Sequence, residues 1–273
     1  MRRIVGLAVA SLLVAACSGS GGNAGAASAS AEAAASTAPS ASMAPTSASP
    51  AAAASATPIP GCLPGCVTPN LTRPGDLDAG DYTTRYFFGG QLTVTVPAGW
   101  TSFEDSTGEF GLRPSASEAA KVLFWLDVYP IVDGTFKKAE DFDGTAAAMV
   151  AWIEHDPNVK VIKKSAGKVG DLAATVLEFG RSPKAKNVDE GCPAEIRPCV
   201  NLLSFPQWEP EVYGVAGPFH VRMLAADATW GGQSHGVYAV IDADDDQAFA
   251  GIEPAAAAMI DGARLPSGVE DAG

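Results

Sequence analysis

The chain has 273 residues, with 18 basic against 31 acidic side chains and a net charge of −13. That balance argues against a nucleic-acid reader, whose phosphates require a basic footprint, and equally against docking on anionic lipid by charge, so the surface charge is expected to keep the domain off the membrane and leave attachment to a lipid. Residues 1–60 hold only three charged groups, Arg2, Arg3 and Glu32, so the acidic excess lies in residues 61–273, a length suited to one domain or two small ones with a real core.

The chain opens on a short positive head, Met1-Arg2-Arg3, followed by an apolar run from Ile4 to Ala16 broken only by Ser11. The run is too short for a membrane-spanning helix, which needs roughly 20 apolar residues, and has the form of a secretion signal. It leads through Leu13-Val14-Ala15-Ala16 into Cys17. This stretch resembles the bacterial lipobox. The resemblance implies that residues 1–16 are removed as a signal peptide, that Cys17 becomes the lipidated N-terminus, and that the protein sits on the extracytoplasmic face of the cell membrane. The competing reading is an ordinary cleaved signal with a chance cysteine. Residues 17–60 are almost wholly Ala, Ser, Gly, Pro and Thr, with Met43 and Ile59 the only large apolar groups. Such a segment buries too little surface to offset its ordering entropy and reads as a disordered spacer. Chain statistics give it a reach of roughly 30–40 Å.

Residues 61–273 then read as one globular domain. Besides Cys17 they carry Cys62, Cys66, Cys192 and Cys199. In an exported chain an even count indicates disulfides. Three connectivities are open. Loop-closure entropy favours the local pairs Cys62–Cys66 and Cys192–Cys199, whereas a zinc site would want tighter spacing. The segment Leu92–Val96 alternates cleanly and predicts a strand stopped by Pro97, with Phe110-Gly111-Leu112 as its short partner. Val122–Tyr129 predicts a central strand, with Asp127 at its rim. Thr145–His155 predicts a helix capped by Thr145 and ended before Pro157. Strands come next at Val159–Lys164, with Val and Ile set against Lys160 and Lys163, and at Leu172–Phe179, across a turn marked by Gly167 and Gly170. Gly180–Cys199 is a long polar loop. Val200–Phe205, Phe219–Ala225 and Gly236–Ile241 are further strands. A last helix spans about Asp246–Ile260, kinked or restarted at Pro254. The sum is an α+β domain, mainly antiparallel sheet with two covering helices.

Three of these features together resemble the PsbP-like (Mog-type) α/β/α sandwich of bacterial lipoproteins: the strand ending Val96-Pro97-Ala98-Gly99-Trp100, the helix leading into Val159-Lys160-Val161-Ile162 and Val169-Gly170-Asp171-Leu172, and the closing strand with its helix. The resemblance covers roughly Tyr82–Leu265. It implies an antiparallel sheet between helical layers, and an accessory or binding role more readily than an enzymatic one.

Three motifs bear on chemistry. Gly232-Gln233-Ser234-His235-Gly236 matches the G-x-S-x-G pattern of serine hydrolases, but the residues after it, Val237-Tyr238-Ala239-Val240-Ile241, read as a strand rather than a helix, and no histidine lies downstream. A glycine-rich hairpin is the favoured reading, with a small esterase using Ser234 as the alternative. Asp242, Asp244, Asp246 and Glu253 fall on positions one, three, five and twelve of a calcium-loop template. However, Gln247 replaces the required glycine, so capping of the last helix is favoured over a metal. The loop Phe205-Pro206-Gln207-Trp208-Glu209-Pro210, with Tyr213 beyond it, could present Phe205, Trp208 and Tyr213 to a sugar or peptide, or fold them over a core edge. The reading that results is a non-catalytic, cofactor-free envelope module. Its expected partners are the membrane, through the lipid on Cys17, and an envelope protein, peptide or glycan.

Overall fold

The computed structural model describes residues 75–132, 137–186, 199–205 and 212–266. Contacts divide the chain into Met1–Ala53 and Ala54–Gly273, and every described residue belongs to the second unit. The expected signal peptide and spacer lie outside the described residues.

In chain order the strands are β1 (Gly75–Leu77), β2 (Gly80–Thr83), β3 (Thr93–Val96), β4 (Trp100–Asp105), β5 (Glu109–Pro114), β6 (Ala120–Leu126), β7 (Tyr129–Pro130), β8 (Val159–Val169), β9 (Leu172–Arg181), β10 (Cys199–Ser204), β11 (Val212–Ala216), β12 (His220–Trp230) and β13 (Gln233–Ala243). Helix α1 (Ala146–His155) precedes β8, and α2 (Asp246–Asp261) comes after β13. Eight strands make one antiparallel sheet in the order β1-β4-β5-β6-β13-β12-β9-β8. Two smaller sheets accompany it, β11-β10-β7 and β2-β3.

Successive strand residues point to opposite faces, and both faces of the central strands are apolar. Val122, Phe124 and Leu126 of β6, with Val237, Ala239 and Ile241 of β13, pack against Phe249, Ile252, Ala256, Met259 and Ile260 of α2. The intervening Leu123, Trp125, Tyr238 and Val240 pack the other way, against Met149, Val150 and Ile153 of α1 and against Val200, Leu202 and Val215 of the three-stranded sheet. The sheet is thus covered by one helix on each face, and the expected α+β sandwich stands on these layers.

Local chemistry sets the helix ends. Thr145 Oγ1 accepts from Ala148 N at 3.1 Å at the start of α1, and Asp245 Oδ1 accepts from Ala248 N at 2.8 Å at the start of α2. Pro254 neither restarts nor ends α2. It and Ala250, whose carbonyl loses its partner, both face solvent, so the missing bond is not buried.

Several expectations change. Phe110–Leu112 lies in β5 and pairs with β4 and β6, not with Leu92–Val96, whose partner is β2. The strand expected to reach Tyr129 stops at Leu126, because Asp127 takes a positive φ of 52° and redirects the chain into β7. Gly167 lies inside β8 opposite Ala174, and the turn is made by Gly170 and Asp171 alone. The strand β9 runs to Arg181, so the polar loop starts later than Gly180. A bulge between Val161 and Lys163 breaks the expected alternation of β8 and expels Ile162, which is 53% exposed.

Candidate functional site

The face of the sheet beneath α2 is apolar at its centre and charged toward the β8 edge. Register explains the change. Lys163 of β8 stands opposite Glu178 of β9, which stands opposite Arg222 of β12, which stands opposite Ile241 of β13. One cross-strand row therefore reads cation, anion, cation, apolar. The next row reads Ser165, Val176, Leu224, Ala239. Over these rows lies the C-terminal half of α2, which contributes Glu253, Ala257, Ile260 and Asp261. With these rows, apart from Ala239, they bound a cleft of about 270 Å³.

Arg222 is the fixed point of the cleft. Its Nε and Nη2 donate to Glu178 Oε1 at 3.0 and 2.8 Å, and Nη2 also reaches Glu253 Oε1 at 2.7 Å. The guanidinium lies 5.0 Å from the centre of the Phe249 ring, a cation–π contact with α2. His220, two residues earlier and on the same face, stacks on that ring at 3.9 Å with the planes 7° apart. Its Nδ1 is 2.8 Å from Asp246 Oδ1 and its Nε2 is 3.6 Å from Glu178 Oε2. The side chains of Glu178 and Arg222 are 11% and 17% exposed, so this network is largely dry, whereas Lys163 at 62% extends toward solvent, 3.9 Å from Glu178. The floor of the cleft is thus a network of paired charges, one guanidinium held between two carboxylates. The lips carry charges of both signs, Lys163 and Asp261. Such a site can orient a solute that carries both charges; its floor groups are already committed to one another.

A second depression, about 460 Å³, lies against α1 and is lined by Val132, Phe142, Ala148, Ala151 and Trp152, with Glu140, Asp141 and Asp143 at its rim. The Asp143 carboxyl is held below the usual range by hydrogen bonds from the backbone and hydroxyl of Thr145.

The sequence candidates fall elsewhere. Ser234 lies in β13 opposite Thr229, just past the hairpin turn at Gly231 and Gly232, whose φ values are 57° and 73°. That is a strand, not the strand-to-helix elbow a hydrolase serine occupies. His235 next to it necessarily points to the opposite face, where its Nδ1 meets Asp127 Oδ2 at 2.7 Å. Asp127 Oδ1 also accepts from Gly236 N at 3.0 Å, so this carboxylate clasps the hairpin to the end of β6.

The four carboxylates of the calcium template do not converge. Asp242 is buried facing Lys121, with Nζ 3.2 Å away; Asp246 holds His220; Glu253 holds Arg222. The aspartate that caps α2 is Asp245. No group of three or more potential metal-ligating side chains gathers among the described residues. Burial raises the Asp242 carboxyl above its ordinary value, with Lys121 opposing the shift, and burial likewise pushes the Tyr213 hydroxyl well up, aided by the Asp242 charge.

Phe205 and Tyr213 are 4% and 9% exposed, with their rings edge-on to Trp125 at 5.5 and 4.7 Å. They fold over a core edge as the second of the two readings has it, and Trp208 lies outside the described residues. Cys199 opens β10 and is buried beside Ala216 and Phe219. Cys17, Cys62, Cys66 and Cys192 lie outside the described residues.

Sequence reasoning missed Glu178, His220, Arg222 and Phe249 as a group. A signal was present: Glu178 and Arg222 are lone charges inside the apolar runs Leu172–Phe179 and Val221–Ala226. A charge buried in a strand needs an opposite charge on a neighbouring strand.

No family model matches the chain, and no curated protein matches it. Three solved structures share some of its backbone course. A protein of Bacteroides thetaiotaomicron VPI-5482 is 9% identical with a TM-score of 0.34, over 70% of this chain and 50% of that one, so the chain spans half its length. The cyanobacterial PsbP (CyanoP) of Synechocystis sp. PCC 6803 is 10% identical with a TM-score of 0.37, over 70% of this chain and 95% of that one. LpqN of Mycobacterium tuberculosis, described as involved in cell envelope biogenesis, is 12% identical with a TM-score of 0.38, over 71% of this chain and 91% of that one. Likeness at these scores bears on neither activity nor partners.

Proposed function

We propose that the chain is a lipid-anchored, extracytoplasmic binding module of the cell envelope, without catalytic activity, and that its ligand seat is the cleft between α2 and strands β8, β9 and β12. The observation that carries the reading is the Arg222 network. A guanidinium fixed by two carboxylates and an aromatic ring, with Lys163 and Asp261 left on the lips, is preorganised for binding. The size and mixed charge suit a short peptide segment carrying both signs. The anchor rests on the Leu13–Cys17 stretch. Among the described residues, no helix is long and apolar enough to cross a membrane. The local pairs Cys62–Cys66 and Cys192–Cys199 belong to the same reading, as staples suited to an oxidising compartment.

The test is titration of the mature protein with a panel of charged di- and tripeptides, monitored by amide NMR. Shifts centred on Lys163, Arg222 and Asp261 and abolished by Lys163→Glu support the seat; no shift from any peptide at millimolar concentration removes it. Mass spectrometry of the native protein decides the anchor separately: a diacylated Cys17 is expected, and an acyl-free chain would overturn it.

A further inference from the structure

The acidic excess is not spread evenly. Residues 159–186 carry seven basic side chains, Lys160, Lys163, Lys164, Lys168, Arg181, Lys184 and Lys186, against only Asp171 and Glu178. Six of the nine lysines of the whole chain fall in this stretch. The fold turns that sequence bias into a surface. Strand β8 is one of the two edges of the eight-stranded sheet among the described residues, and residues 162–168 are exposed without interruption. Register puts Lys160 and Lys163 on the α2 face of the edge, opposite Gly180 and Glu178, and Lys164 and Lys168 on the α1 face, opposite Leu177 and Ala173. Residues 182–186 fold back on the start of the strand, where Ser182 N donates to Asn158 O at 2.7 Å and Lys186 N to Asn158 Oδ1 at 3.1 Å. Lys184 and Lys186 therefore extend the strip at its Lys160 end. From Lys160 to Lys168 the strip is roughly 26 Å long at strand rise.

Two of the lysines are engaged, Lys163 with Glu178 and Lys164 with Glu154. Lys160, Lys168, Lys184 and Lys186 pair with no carboxylate among the described residues. Lysines on an edge discourage strand pairing, but that role needs neither the flanking Lys184 and Lys186 nor an exposed apolar side chain among them. Ile162, at the bulge, is one of two large apolar side chains exposed among the described residues.

We propose that the β8 edge, Lys160–Lys168 with Lys184 and Lys186, docks on an anionic phospholipid surface, with Ile162 entering the headgroup layer. This goes beyond the cleft reading and rests on membrane attachment only for its biological setting. Charge complementarity carries it. Each lysine near an anionic leaflet raises partition by about fivefold, and at physiological salt the strip is screened from the acidic remainder of the molecule beyond roughly 8 Å. Lysine, a hydrated point charge, suits a diffuse layer of headgroups better than one bidentate ligand. A tether of the length of residues 17–60 would hold the domain at millimolar effective concentration near the leaflet, so even weak affinity suffices.

The experiment removes the anchor, so that its outcome is independent of acylation. The mature chain with Cys17→Ser is sedimented with vesicles of phosphatidylcholine alone, or with 30% phosphatidylglycerol, at millimolar lipid. Binding is expected only to the anionic vesicles, lost at 0.5 M salt, and reduced at least tenfold in Lys160→Glu/Lys168→Glu/Lys184→Glu/Lys186→Glu. Lys137→Glu/Lys138→Glu, on another part of the fold, should bind like the parent. Circular dichroism confirms that both variants are folded. The proposal is overturned by an absence of binding to anionic vesicles, by equal binding to neutral ones, by equal losses in the two variants, or by soluble polyglutamate displacing the protein as well as lipid does. The last result would assign the strip to an acidic polypeptide instead.

Discussion

The Glu178–Arg222 pair gives the sharpest test of how the cleft is held. Both side chains are largely buried and doubly bonded, so removing one partner strands the other charge away from water. Breaking a buried pair costs about 3–5 kcal/mol. Two features reduce that here. Arg222 keeps Glu253, itself half in solvent, and Glu178 keeps Lys163 and His220 at 3.9 and 3.6 Å. We expect Glu178→Leu and Arg222→Met each to cost about 2 kcal/mol, a drop in Tm of about 4–8 °C for a domain of this size. The double variant replaces both charges by apolar groups that continue the Val176, Leu224 and Ile241 surface, and should lie within about 1 kcal/mol of the parent. The coupling energy is then about 3 kcal/mol in a urea double-mutant cycle. Two results would refute the account: additive losses, which would mean the groups are already solvated, or single losses below about 0.5 kcal/mol.

Other perturbations act through particular contacts. The Asp242 carboxyl is raised by burial, so the folded chain holds that proton more tightly than the unfolded one; its contribution to stability is full below the ordinary carboxyl value and falls as pH rises through the folded one. Asp242→Asn should therefore be at least as stable as the parent at pH 7 and lose that advantage toward pH 3, read from urea midpoints across pH. Asp105 accepts from the backbone N–H groups of Arg85, Tyr86 and Phe87 at 2.6, 3.2 and 3.2 Å, holding a short turn in which buried Phe88 takes a φ of 51°. Asp105→Ala should cost about 2–3 kcal/mol and speed amide exchange at Arg85–Phe87, with unchanged exchange counting against the clasp. A Cβ on Gly170 would sit 2.1 Å from Ala263 O at a φ of 57°, so Gly170→Ala should cost more than about 2 kcal/mol by thermal melt.

The range of the forces involved decides how much of the fold was legible in the sequence. Helix α1 was legible because Thr145, the apolar spacing of Met149, Val150 and Ile153, and Pro157 are all local signals. The strands β6 and β13 were legible because they are apolar on both faces, as strands sandwiched between helices must be. Four short strands were not. Gly75–Leu77, Trp100–Asp105, Tyr129–Pro130 and Val212–Ala216 gain their identity from partners far along the chain, and they lack the clean alternation that announced the equally short Thr93–Val96. The hairpin at Gly231–Gly232 was legible because two successive glycines supply the positive dihedrals it needs. The cleft was not, since Lys163, Glu178 and Arg222 become neighbours only once three strands are in register.

The β8 bulge shows why register could not be read from alternation alone. In Val159-Lys160-Val161-Ile162-Lys163-Lys164, strict period two would place Val159, Val161 and Lys163 on one face and Lys160, Ile162 and Lys164 on the other. On the α1 face the valines pack against the core and Glu154 offers a carboxylate for Lys164, while the α2 face near the edge offers Glu178, which suits a lysine and not an isoleucine. No unbroken strand satisfies both. Inserting one unpaired residue resolves the conflict: the valines stay against α1, Lys163 crosses to Glu178, Lys164 turns toward Glu154 on α1, and Ile162 is left over in solvent. The exposed isoleucine is thus the residue displaced when two charged partners on opposite faces of the sheet are both satisfied. The same displacement completes the lip of the cleft and sets an apolar side chain in the middle of the lysine edge.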